Sequence, residues 1–170
     1  MQYRAILLNG PSSSGKSTLS RALQERLQAE LGQEFRIAAL DDFMKIGTDE
    51  TIYEDDVYEV SPLLCKAVAA HLTAGCSVII DHVITSQRIY EQLMDTLKNY
   101  KVLKVLVTCP LEELLRRETA RGNRCIGSAE ASFTYLYPKD GYDLTVDTFS
   151  QSSEECVTAI GDLLIHDIQA

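Results

Sequence analysis

The chain has 170 residues, 45% hydrophobic and 24% charged, enough for one substantial core and short of two ordinary domains, so residues 1–170 read as a single domain. Asp and Glu number 25 against 16 Lys and Arg, a formal charge of −9 that argues against a nucleic-acid partner, and no run approaches the roughly 18 apolar residues of a membrane span. Five cysteines, Cys65, Cys76, Cys109, Cys125 and Cys156, stand far apart with no C-x-x-C pair and read as free core thiols. The cytoplasm is the expected compartment, because the N-terminal apolar run leads straight into a loop that the folded protein must keep.

Residues 3–9 (YRAILLN) are an apolar run of strand length. Gly10-Pro11-Ser12-Ser13-Ser14-Gly15-Lys16-Ser17 follows, a complete G-x-x-x-x-G-K-[ST] phosphate-binding loop, and 18–31 then repeats Leu19, Leu23, Leu27 and Leu31 at helical spacing. In this strand–loop–helix setting backbone N–H groups converge on phosphate oxygens, and the helix beginning near Lys16 turns its positive end toward them. The expected nucleotide contacts are Gly10, Ser12, Ser13, Ser14, Gly15, Lys16, Ser17 and Thr18. Lys16 would reach the β and γ phosphates, and Ser17 would place its hydroxyl on Mg²⁺.

Gly32 stops the first helix, and 34–40 (EFRIAAL) reads as a second strand that delivers Asp41 and Asp42 to its carboxyl end, where open α/β sheets bind ligands. A carboxylate there can accept the proton of an attacking hydroxyl. Asp41 is preferred over Asp42 for that role, against the plainer reading that either one caps the next segment. Segment 43–60 has no clear period and holds Asp49, Glu50, Glu54, Asp55, Asp56 and Glu59 against Lys45 alone. With Phe43, Met44, Tyr53 and Tyr58 it reads as a loop or irregular helical segment over the acceptor, whose charge suits a neutral or cationic hydroxyl compound.

Helical pattern resumes at Ser61 as cap and Pro62 as first residue, with Leu63, Leu64, Ala67, Val68, His71 and Leu72 on one face before Gly75. Segment 76–80 (CSVII) reads as a buried parallel strand ending at Asp81 and His82. Asp81 can order Mg²⁺ through a water, orient the acceptor, or simply cap a loop. His82 can contact substrate or move a proton, or be structural. A helix over 86–99 uses Ile89, Leu93, Met94 and Leu97, and 100–108 is a fourth strand. The helix over 111–121 turns Leu111, Leu114 and Leu115 inward.

Among Arg116, Arg117, Arg121 and Arg124, the last three are spaced by four and three and share a face if helical. They point to a lid over about 116–127 that closes on ATP and neutralises the transferring phosphoryl group, against the ordinary reading of a solvated basic face. A short helix over 128–137, a fifth strand over 142–146 and a last helix over 152–167, with Cys156, Ile160, Leu163 and Leu164 inward, complete the chain. Strands alternating with helices predict an α/β fold, a parallel sheet covered on both faces.

GPSSSGKS, AALDDF, IIDHV, RRETARGNR with Gly127, and YDLTVDT before SSEEC together resemble the chloramphenicol phosphotransferase family, from about residue 4 to 166. The resemblance implies a three-layer P-loop kinase fold with a five-stranded parallel sheet of order 2-3-1-4-5, moving the γ-phosphoryl of ATP to a hydroxyl. It further implies Lys16 and Ser17 at phosphate and Mg²⁺, Asp41 as base, Arg117, Arg121 and Arg124 in the lid, and the Asp147-Thr148 turn near the adenine. Segment 43–60 and His82 depart from the antibiotic-modifying enzyme, so the expected partner is a small hydroxyl acceptor of open identity, contacted by Asp41, Asp42, Phe43, Asp81 and His82. The rival readings are a nucleotide-dependent regulatory module with a protein partner and a toxin-type kinase of a nucleotide-linked sugar.

Overall fold

The structure, a computed structural model, describes residues 3–44, 52–123 and 125–169. Strand β1 (Tyr3–Asn9) is central, and with β2 (Phe35–Ala39), β3 (Ser77–His82), β4 (Lys101–Thr108) and β5 (Leu144–Asp147) it forms a parallel sheet in the order β2-β3-β1-β4-β5. This is the expected order. Helices α1 (Lys16–Leu31), α2 (Glu54–Thr73), α3 (Gln87–Leu97), α4 (Leu111–Arg121), α5 (Ser128–Tyr135) and α6 (Ser153–Gln169) make the crossovers and the flanking layers.

The two-residue period of the strands divides the core. Ala5 and Leu7 of β1, with Val78 and Ile80 of β3, face α2 and α3 through Leu64, Val68, Leu72, Ile89 and Leu93. Ile6 and Leu8 point the other way, with Ile79, Leu103, Val105 and Val107, onto Leu19, Leu23 and Leu27 of α1 and Cys156, Ile160 and Leu164 of α6. Strands buried on both sides cannot alternate polar with apolar residues, and β3 is buried along its whole length. Each buried Leu or Ile contributes about 1.5–3 kcal/mol relative to exposure. Cys65, Cys109 and Cys156 are buried, and Cys76 and Cys125 half-buried, all as free thiols. No described helix is long and apolar enough to cross a membrane.

The second helix differs most from its expected form. It begins at Glu54 rather than at Ser61, so Ser61 is buried within it and Pro62 lies inside it. The acidic residues Glu54, Asp55 and Asp56 occupy its first turn, where the helix dipole favours negative charge, and the Tyr53 N–H donates to the Asp56 carboxylate at 2.7 Å. Arg88 pairs with both Glu54 and Asp55 and stacks over the Tyr58 ring at 4.0 Å. Of the two readings of this segment, the helical one holds from Glu54 onward, as the start of a regular helix. Pro62 leaves the Tyr58 carbonyl without its usual donor, and the burial of Val57, Leu64, Cys65 and Val68 offsets that cost. Leu63, Leu115 and Leu163, expected inward, are exposed by 53%, 36% and 39%.

Candidate active site

The phosphate loop leaves β1 under tight steric control. A Cβ on Gly10 would meet the Val107 carbonyl oxygen of β4 at 2.1 Å, so only glycine lets the loop start this close to the neighbouring strand. Ser13 (φ 67°) and Gly15 (φ 94°) are both left-handed, which curls successive N–H groups into a concave anion-binding nest at the α1 N-terminus. Lys16 is buried, and its Nζ donates to the Pro11 carbonyl at 2.8 Å. The loop is gripped from behind: the Ser12 N–H donates to Ser132 Oγ of α5 at 2.9 Å, and Thr148 Oγ1 donates to the Ser14 carbonyl at 2.8 Å.

Beside the loop, Ser17 Oγ donates to Asp81 Oδ2 at 2.7 Å. Asp81 stands at the end of β3, in register with Leu8 of β1 and Ala39 of β2. Asp41 lies on a 3-10 turn, Leu40–Asp42, that directly continues β2. The next residue of β3, His82, is paired in register with Asn9 and only 1% exposed, and among the described residues neither of its ring nitrogens makes a hydrogen bond of ordinary geometry, the Val83 backbone offering only a weak contact. Burial holds its pKa down at about 4, with the Lys16 charge adding to the depression and the Val83 backbone and the Asp41 charge opposing it. Asn9 pins this edge: its carbonyl accepts the Ile84 N–H at 2.9 Å, and its amide donates to the Tyr137 carbonyl at 2.9 Å and to the Tyr142 hydroxyl at 2.8 Å.

The basic wall comes from α4. Arg117 donates to Glu113 Oε1 at 2.8 Å and, through its two terminal nitrogens, to Thr148 Oγ1 and the Thr148 carbonyl, each at 3.0 Å. Hydrogen bonds from Arg116 and then Arg117 pull the Glu113 carboxyl down to about 2. Arg116 is 69% exposed and turned away on Glu113, and Arg121 faces the cleft. Arg124 lies outside the described residues, as does 45–51 of the expected acceptor segment. Asp147 accepts the Phe149 N–H at 2.9 Å and the Ser150 hydroxyl at 2.9 Å, and these bonds, the backbone one foremost, lower its pKa.

A cleft of about 320 Å³ joins these groups, within the range of small-ligand sites. Of the expected residues, Ser12, Ser13, Gly15, Lys16, Ser17, Thr18, Asp41, Asp81, His82, Arg117 and Arg121 line it. Gly10, Ser14, Asp147 and Thr148 sit behind that lining as support, Asp42 is exposed outside it, and Phe43 packs with Met44 on the α2 side of the core. Arg21 of α1 also lines the cleft and was not anticipated, although it follows Ser17 by one turn. Glu118, 2% exposed, accepts the Gly127 N–H at 3.0 Å and the Ala129 N–H at 2.8 Å, stapling α4 to the start of α5. Its place four residues after the fully buried Leu114, on the inward stripe, was the available sequence signal.

A phosphate loop between the central strand and first helix of a 2-3-1-4-5 parallel sheet, faced by an arginine-bearing helix, is the architecture of the P-loop kinases. Over residues 3–164 the sequence matches the chloramphenicol phosphotransferase-like protein family, and the chain belongs to it. Solved structures share the fold at low identity. An APS kinase of Mycobacterium tuberculosis in complex with AMPPNP and APS is 19% identical, with a TM-score of 0.74 over 96% of this chain and 98% of its own. A sugar kinase of Janibacter sp. is 18% identical (TM-score 0.72, 93% and 92% covered), and a gluconokinase of Sinorhizobium meliloti 16% (0.72, 98% and 94%). No curated protein sequence matches the chain.

Proposed function

We propose that the protein is an ATP- and Mg²⁺-dependent phosphotransferase that moves the γ-phosphoryl of ATP to a hydroxyl of a small molecule. The observation that carries this reading is the convergence of the phosphate loop, the Ser17–Asp81 pair, Asp41 and three arginines on one cleft. The left-handed nest and Lys16 suit polyphosphate. The hydroxyl of Ser17 and the carboxylate of Asp81 offer hard oxygen donors of the kind Mg²⁺ takes. Bound there, the ion would supply charge neutralisation on the donor phosphates.

The protein's own groups do the rest. Asp41, exposed on its turn, accepts the proton of the acceptor hydroxyl as the new O–P bond forms and the bond to ADP breaks. Lys16 and Arg121 stabilise charge on the transferring group, and Arg117, locked on Thr148 and Glu113, forms the nucleotide wall. Names in the fold group, such as sugar kinase and gluconokinase, agree with a small hydroxyl compound as acceptor.

The test is ADP formation by the purified protein with Mg²⁺ and ATP across chloramphenicol, aminoglycosides, sugars, sugar acids and nucleosides. Acceptor-stimulated turnover that falls by about 10²–10⁴-fold in Asp41→Asn, with ATP affinity nearly unchanged, is the expected result. Tight ATP binding without acceptor stimulation would favour a regulatory module instead.

A further inference from the structure

Helix α1 has three working faces, set by its residue spacing. Leu19, Leu23 and Leu27 enter the core. Arg26 turns to α6, donating to the Val157 carbonyl at 3.1 Å and to Asp162 at 2.8 Å. The third face leads from Ser17, one turn on, to Arg21, and three residues later to Gln24, whose amide donates to the Phe35 carbonyl of β2 at 2.6 Å. Ser17, Arg21 and Gln24 therefore share the edge of α1 that lies toward β2, the strand that delivers Asp41.

That topology divides the cleft. Arg117 and its partner Thr148 belong to the β4 and β5 side, next to the loop's supporting contacts. Asp41, Asp81, His82 and Arg21 belong to the β2 and β3 side. Arg21 lines the same cleft as the proposed base, and no described carboxylate forms an ion pair with it. Arg26, by contrast, is tied to Glu30 and Asp162, and Arg116 to Glu113. The buried imidazole of His82 lines the same space, with neither ring nitrogen in a hydrogen bond of ordinary geometry among the described residues, an arrangement that costs free energy until a ligand hydroxyl or oxyanion satisfies it. Of the acidic residues that argued for a neutral or cationic acceptor, Glu54 and Asp55 are engaged by Arg88 and Asp56 by the start of α2.

We propose that Arg21 and His82 form an acceptor subsite that selects a polyhydroxy compound bearing an oxyanion, such as a sugar acid or sugar phosphate. The idea rests on the kinase reading for the term acceptor, and its binding test does not. Arg21 grips the anionic group in the fork geometry a guanidinium offers, and His82 hydrogen-bonds a hydroxyl beside the reacting one.

The full chain, saturated with Mg²⁺ and a non-hydrolysable ATP analogue, is titrated calorimetrically with matched pairs: gluconate against glucitol, glucuronate against glucose, and glucose 6-phosphate against glucose. At least one charged member should bind about 10- to 100-fold more tightly than its neutral counterpart. Arg21→Gln should bring that pair to parity, Arg21→Lys should keep part of the preference, and His82→Phe should weaken both members. Tighter or equal binding of every neutral member, equal weakening of both members by Arg21→Gln, or no binding in any pair would overturn the subsite. The same pairs, run with ATP, separate the two ideas. Charge-selective binding without ADP formation would refute the kinase reading and leave the subsite, whereas ADP formation without charge preference would refute the subsite alone.

Discussion

Replacing Glu118 with Gln tests whether one buried carboxylate holds the arginine-bearing segment in place. The wild-type side chain accepts two backbone N–H groups, at 3.0 and 2.8 Å, from Gly127 and Ala129 at the start of α5. The amide keeps one acceptor oxygen and turns an NH₂ toward the other donor, so one charge-assisted bond is lost and one buried N–H is orphaned. A hydrogen bond to a charged group is worth about 1.5–3 kcal/mol, and the loss of negative charge beside the α5 N-terminus adds a few tenths. A cost of about 2–3 kcal/mol would lower the melting temperature of a chain this size by roughly 4–12 °C if unfolding is global. If the segment opens locally instead, melting moves less and amide exchange at Gly127 and Ala129 accelerates by about 30- to 150-fold. Thermal melts and site-resolved hydrogen exchange on the same sample distinguish the two. A variant that melts within 1 °C or so of wild type and exchanges those amides at the wild-type rate would refute the staple.

Thr148→Val removes the hydroxyl that donates to the Ser14 carbonyl and accepts from Arg117, so ATP affinity should fall about tenfold in calorimetry while the melting curve moves little. Gly10→Ala should abolish tight ATP binding, because its Cβ would lie 2.1 Å from the Val107 carbonyl and the loop must shift; ATP binding at wild-type affinity would contradict that close approach. Glu113, whose carboxyl is held at about 2 against an ordinary 4.5, gives stability that is complete above pH 4.5 and is lost as pH falls toward 2. Acid-titrated melts of Glu113→Gln should lack that part of the decline, and an acid limb identical to wild type would remove the linkage.

What the sequence disclosed follows from how local each signal is. The phosphate loop is a contiguous motif between a strand and a helix, and the bounds of α4 come from its periodic pattern and from Gly122, so both are readable without knowing the fold. The parallel sheet follows from apolar runs that alternate with helices, while its strand order came from the family resemblance and agrees with the structure. The start of α2 was hidden because Pro62 commonly opens helices and acidic runs commonly stay in solvent, and only the distant Arg88 shows that Glu54 and Asp55 are in a first turn. Glu118, Ser132 and Arg21 act through partners or neighbours brought together by the fold, and spacing alone does not expose them. Phe43 illustrates the converse: an aromatic next to a candidate base reads as a substrate contact, and in the fold it is half-buried against the α2 side of the core rather than among the residues lining the cleft.

Asn9 carries a consequence for anyone wishing to alter this protein. Its carboxamide gives two protons and takes one, and each goes to a different stretch of chain: the segment after β3, the segment after α5, and Tyr142 on the approach to β5. An aspartate there has no protons to give, and a glutamine carries the same groups a methylene too far. Three loops along this edge of the sheet thus take their alignment from a single buried side chain outside the cleft lining. A loop grafted from a relative will seat correctly only if it arrives with a backbone group offered to that same amide.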